Sequence, residues 1–141
     1  MRWALKQIVG VSALCLGLGA IPGNASESRI SGFSLPCDGS QHNMTFGLGG
    51  FVANLSRFIQ GASITVVNPA GVSFIYVQLL QGVNSPLVAV GAGQSNASRD
   101  FTGFFQARTD GGGFITFQIT GVCDSASGPA VFGLVFIDFF S

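Results

Sequence analysis

The hydrophobic positions of this chain fall in short runs, and no run after residue 25 repeats with the period of an amphipathic helix. The runs are rich in Val, Ile, Phe and Thr. Gly, Asn, Pro and Ser interrupt them at intervals of roughly ten residues, the spacing of strands in an antiparallel β-sandwich or barrel. The pattern predicts an all-β, single-domain sandwich, jelly-roll-like, with about eight strands. The clearest runs from Phe114 to Cys123: Ile115, Phe117, Ile119 and Cys123 share one face, and Thr116, Gln118 and Thr120 the other. Gly111-Gly112-Gly113 permits a tight reversal before it, so a hairpin with Asp100 to Arg108 is predicted. A second hairpin is predicted from Ala62–Val67 through Asn68-Pro69-Ala70-Gly71 into Val72–Gln81, with Pro and Gly placed as a β-turn favours. Val72 to Leu80 is apolar on both faces and reads as a strand covered on both sides. Arg29–Leu35, Met44–Asn54 and Leu87–Ala92 complete the strands, the second bulged or bent at Gly49-Gly50, and Gln94 to Ser98 reads as a polar loop.

The last run, AVFGLVFIDFF from Ala130 to Phe140, is apolar on both faces except at Asp138. Two readings follow: a central strand covered on both sides, or a strand one of whose faces, with Phe132, Leu134, Phe136 and Phe140, is an interface. A lipid-facing barrel strand would alternate with polar lumen residues, and this one does not. The stretch Val131-Phe132-Gly133-Leu134 followed by Asp138 resembles the last strand of trimeric jelly-roll domains of the complement and tumour-necrosis-factor type, and the likeness is confined to this strand.

The front of the chain changes the setting. Arg2 and Lys6, the apolar run from Gln7 to Ile21, and Gly23-Asn24-Ala25 have the layout of a secretory signal, with cleavage expected after Ala25. The apolar run falls short of the roughly 20 residues that a membrane span needs. Cys15, preceded by Leu14, does not read as a lipid-anchor site. Residues 1–25 are therefore expected to be removed, leaving 26–141 as the β-sandwich domain, secreted to an extracellular or periplasmic space with no membrane span.

Charge is scarce in that domain. It holds no Lys and no Trp, all 14 Phe, and four arginines (Arg29, Arg57, Arg99, Arg108) against six acids, a net charge of −2. With no basic stripe, nucleic acid and anionic membrane are excluded as partners. So little charge with so much Phe instead favours association, as a homo-oligomer or with a protein partner. Two cysteines remain, Cys37 and Cys123, and an exported pair is expected as a disulfide. Closing nearly the whole domain, that bond is worth roughly 4 kcal/mol on the chain-entropy model.

Chemistry has few footholds. Asp38, Ser40 and His42, within PCDGSQH, carry the residue types of a hydrolytic triad, but triad members come from separate elements so that the imidazole can stand between hydroxyl and carboxylate. No Gly-x-Ser-x-Gly elbow occurs. Asp38, Asp100, Asp110 and Asp124 read as turn residues bonding their own backbone, and Glu27 as part of a tail. A single histidine and no Asp-x-Asp-x-Asp-Gly loop leave no zinc or EF-hand constellation, a loop calcium site from Asp124, Ser125 and main-chain carbonyls stays open, and no cofactor is expected. Asn43, Asn54 and Asn96 head glycan-acceptor sequons. The expectation is an exported non-enzymatic structural or surface protein that self-associates through apolar β faces. The alternative is a secreted binding module for carbohydrate or protein, using loops Gln94–Arg99 and Asp124–Pro129 with Arg99, Asp100 and Asp124 as contacts. A small hydrolase is the remote third.

Overall fold

The computed structural model describes residues 26–81 and 85–140, so the signal segment 1–25 lies outside the described residues. Eight strands are present among them: β1 Ser26–Pro36, β2 Gln41–Leu48, β3 Ser56–Val66, β4 Val72–Leu79, β5 Ser85–Val90, β6 Asn96–Arg108, β7 Ile115–Cys123 and β8 Ala130–Phe140. They form two four-stranded sheets, β1-β8-β3-β6 and β2-β7-β4-β5, antiparallel throughout. The fold is the all-β antiparallel sandwich expected from the pattern.

Period-two alternation builds the core. On β7 Ile115, Phe117 and Ile119 are fully buried, and on β8 Val131, Val135, Ile137 and Phe139 meet them from the opposite sheet. Phe46 stacks on Phe117 with ring centroids 5.4 Å apart, and Phe51 meets Phe139 edge-on at 5.1 Å. Cys37, just past β1, is bonded to Cys123 at the end of β7, so the disulfide joins one sheet to the other across 86 residues of chain.

Both hairpins expected from the turns are overturned. β3 and β4 lie in different sheets, and so do β6 and β7. The 3-10 turn Pro69–Gly71 and the glycine turn before Ile115 do reverse the chain, but each carries it across the sandwich instead of alongside its predecessor. Turn chemistry specifies a reversal, not the sheet that receives the next strand. The hairpin that forms joins β4 to β5, with Leu79 opposite Ser85. β2 ends at Leu48 where it was expected to run to Asn54: Gly50 adopts φ 86°, and the chain turns so that Phe51 closes the core. β6 begins at Asn96, inside the stretch read as a loop, and carries Arg99 and Asp100 in a strand. Glu27, read as a tail residue, lies in β1 opposite Phe139.

Glu27 is held there by charge. Its carboxylate accepts from Arg29 at 2.7 Å and from Arg57 at 3.2 Å, and both guanidinium groups lie over the Phe51 ring, at 4.1 and 4.8 Å. Arg29 also donates to the Gly49 carbonyl. This cluster covers the Phe51 ring, and it occupies two of the four arginines.

Candidate functional site

β8 is the second strand of its sheet, between β1 and β3, and only one of its faces is covered. Val131, Val135, Ile137 and Phe139 point into the core, while Phe132 is 51% exposed, Leu134 42% and Phe140 40%, with Phe136 half-buried. The reading of this strand as covered on both sides is thereby corrected, because among the described residues no further layer packs on the outer side. Neighbouring strands extend the exposed apolar surface. On β1 Ile30, 58% exposed, stands opposite Phe136, and on β3 Phe58 stands opposite Phe140. Val67 follows β3, exposed, its N–H donating to the Phe132 carbonyl. Seven large apolar side chains thus share one solvent face. Ile30, Phe58 and Val67 are the members that sequence reasoning missed. Ile30 and Phe58 stand among Ser, Gly, Arg and Gln, and only the strand register aligns them with the run on β8.

The outer face of the other sheet differs. Gln78 and Gln118 bond across β4 and β7 at 3.0 Å, and Thr120, 2% exposed, lies opposite Tyr76. β4 is also bare on this side, its Phe74, Tyr76 and Gln78 half-buried where double coverage was expected. Half-buried amides lie across that face and none of the exposed large apolar residues stands on β4 or β7, so their concentration belongs to the β1-β8-β3-β6 sheet.

PCDGSQH forms a compact corner. Pro36 ends β1, Cys37 is locked in the disulfide, and Asp38 Oδ1 accepts from the Ser40 amide at 3.0 Å and from Ser40 Oγ at 2.6 Å. His42 is the second residue of β2, and its Nε2 lies 2.9 and 3.0 Å from the two Asp38 oxygens and 3.1 Å from Ser40 Oγ. The three residue types do converge, but a single ring nitrogen meets both hydroxyl and carboxylate, so the imidazole does not stand between them. Ser40 gives its proton to Asp38 directly, and no base remains for it. The Ser40 hydroxyl, then its amide, then His42 hold the Asp38 carboxyl well below the ordinary aspartate value of 3.8. A depressed native value means that Asp38 contributes stability above the ordinary carboxylate range and loses it only as pH falls through the lowered value. In an NMR acid titration the Asp38 carboxylate should therefore still be charged below pH 3.8, and replacing Ser40 by Ala should return it towards that value.

The other acids divide between turns and the bare face. Asp110 Oδ1 accepts from the amides of Gly112 at 2.8 Å and Phe114 at 2.9 Å, and Asp124 Oδ1 from Ala126 at 2.9 Å, capping the 3-10 turn Ser125–Ser127. Asp100 and Asp138 are strand residues flanking Gly61 on the outer face. Arg99 instead lines a groove of about 250 Å³ between the edge strands β5 and β6, with Pro86, Leu87, Val88, Ala89, Ala97 and Ser98, its guanidinium 4.8 Å over the Phe101 ring. Among the described residues no hydrogen bond or ion pair links Arg99 or Asp100 to Asp124, and no three His, Cys, Asp or Glu side chains converge on a common point. Asn43, Asn54 and Asn96 are all exposed. No helix among the described residues is long and apolar enough to cross a membrane.

No protein-family model matches the chain, and no curated protein matches its sequence. Among solved structures the chain is similar to the capsid asymmetric unit of the cyanophage Pam1, with a TM-score of 0.53 and 11% identity over 96% of this chain and 99% of that one. Two others are fainter. The Bacillus endospore appendages, described as a novel family of disulfide-linked pili, give a TM-score of 0.39 at 14% identity over 90% of this chain and 98% of that one. The virus-like particle of the extra small virus of the prawn Macrobrachium rosenbergii gives 0.39 at 12% identity over 100% and 95%. At 11% identity the likeness to the cyanophage capsid is one of fold alone.

Proposed function

We propose that residues 26–141 are an exported, non-enzymatic structural protein that self-associates through the outer face of the β1-β8-β3-β6 sheet. The observation that carries this reading is the exposure of Phe132, Leu134 and Phe140 on an inner strand of that sheet, continuous with Ile30, Phe58 and Val67. Four strands about 4.8 Å apart and 11 residues long at about 3.3 Å each make a face of roughly 700 Å². A standard protein interface covers about 800 Å² per partner, so one such face is of the right size for one contact. The charge-poor domain supports the same reading, since a dispersed monomer ordinarily carries more surface charge.

The test is the oligomeric state. Light scattering after size exclusion should find assemblies for the native protein, and for Phe132→Asp combined with Leu134→Asp a monomer with an unchanged melting curve, because both side chains are exposed in the single chain. Losing two such anchors should weaken association by on the order of 3 kcal/mol. A native protein that stays monomeric at high concentration would sink the proposal. The groove beside Arg99 favours the second reading, a binding module in which an apolar ligand bearing a carboxylate lies between β5 and β6.

A further inference from the structure

Six charged side chains make no ion pair among the described residues, and two of them, Asp110 and Asp124, are bonded instead to the amides of their own turns. Glu27 takes up Arg29 and Arg57, and His42 takes up Asp38. No ion pair among the described residues involves Arg99, Arg108, Asp100 or Asp138. The two acids lie on the bare apolar face: Asp100 of β6 and Asp138 of β8 both stand opposite Gly61 of β3, and each carboxylate comes within 3.5 Å of where a Gly61 side chain would begin. The two arginines are exposed on β6, the strand at the sheet's edge.

Covering the face removes Asp100 and Asp138 from water, and a carboxylate so buried needs a cation. In an assembly made only of this chain the choice is narrow. The domain has no lysine, and with Arg29 and Arg57 committed to Glu27, Arg99 and Arg108 are the cationic side chains left to offer. The register then speaks against the two symmetric contacts that are centred on the face. A two-fold axis running along the strands would set the level of Asp100 and Asp138 against itself, acid against acid. A two-fold running across the strands at mid-face would set it against the level of Leu134, Thr65 and Asn96, which carries no charge.

Resting on the self-association reading, we infer that the contact is head-to-tail: the β6 edge of one copy, bearing Arg99 and Arg108, docks on the outer face of the next and pairs with Asp100 and Asp138. Each copy then offers one edge and one face, so association propagates as a ring, filament or shell and does not stop at a two-fold dimer. All four side chains are polar and none is in the hydrophobic core, so reversing them should leave the single chain folded.

Charge reversal with rescue tests the inference. Asp100→Arg with Asp138→Arg, and separately Arg99→Asp with Arg108→Asp, should each weaken self-association by about tenfold or more in sedimentation velocity, with melting curves unchanged. Mixed in equal amounts, the two variants should assemble again, each edge meeting a face of opposite sign. Native protein that assembles while both variants assemble equally well would overturn the head-to-tail pairing and leave the apolar-face reading standing. Failure of the mixture to assemble, with both variants folded and dispersed, would also overturn it. A native protein that never assembles would overturn both readings.

Discussion

Replacing Cys37 and Cys123 together by Ser lowers the stability of the domain by about 4 kcal/mol, read as a fall in the urea midpoint with a steeper slope, because the unfolded chain is less compact without the bond. The bond spans 86 residues and ties the end of β1, in one sheet, to the end of β7, in the other. Without it the unfolded chain regains the freedom of nearly its whole length. The corner would still carry the Cys37 amide donating to the Pro129 carbonyl at 3.0 Å and the Gly39 amide donating to the Cys123 carbonyl at 2.8 Å, so the native geometry is expected to persist in a weakened domain. Reduced native protein should melt as the double variant does. If the variant instead melted with the oxidised protein, the bond would be an ornament on an already closed fold.

The second large effect is expected at Gly133. It lies within β8, opposite Phe33 on β1 and Val66 on β3. A Cβ there would come 2.6 Å from the Phe33 ring and closer still to the Thr65 carbonyl oxygen, which belongs to the backbone and cannot turn aside. Gly133→Ala should therefore push two strands apart or displace Phe33, costing about 3 kcal/mol even though alanine suits a strand better than glycine. Gly32→Ala is the internal control. It is also in this sheet, on β1, but its nearest neighbours to an added Cβ are 3.9 Å away, so it should melt within about 0.5 kcal/mol of the native protein. Equal melting of the two variants would refute the close approach of β1, β3 and β8.

Gly133 also marks where the sequence stopped being informative. In the run AVFGLVFIDFF a glycine reads only as a weak point in a strand, and nothing nearby announces that the Phe33 ring, 100 residues earlier, fills its place. The same limit explains the two misplaced hairpins. Pro69 and Gly71 do reverse the chain, but the strand that follows finds its hydrogen-bonding partners in β7 and β5, both distant or later in the chain. At the corner PCDGSQH, proximity was legible and geometry was not. Spacing of two and four residues brings Asp38, Ser40 and His42 together, whereas the use of one imidazole nitrogen for both contacts emerges only from the turn's coordinates.

The sequence by itself determined the class of fold, the pairing of Cys37 with Cys123 as the two cysteines of the domain, and the alternation that buries Ile115, Phe117 and Ile119. These are local or countable properties: strand period and punctuation act over a few residues, and two cysteines allow one intramolecular bond. Which outer face is bare and apolar was decided by tertiary structure alone. A strand's second face is covered or open according to what packs beyond its own sheet. A run such as Ala130 to Phe140 therefore reads the same in either case, and only the two-layer sandwich leaves Phe132, Leu134 and Phe140 facing water.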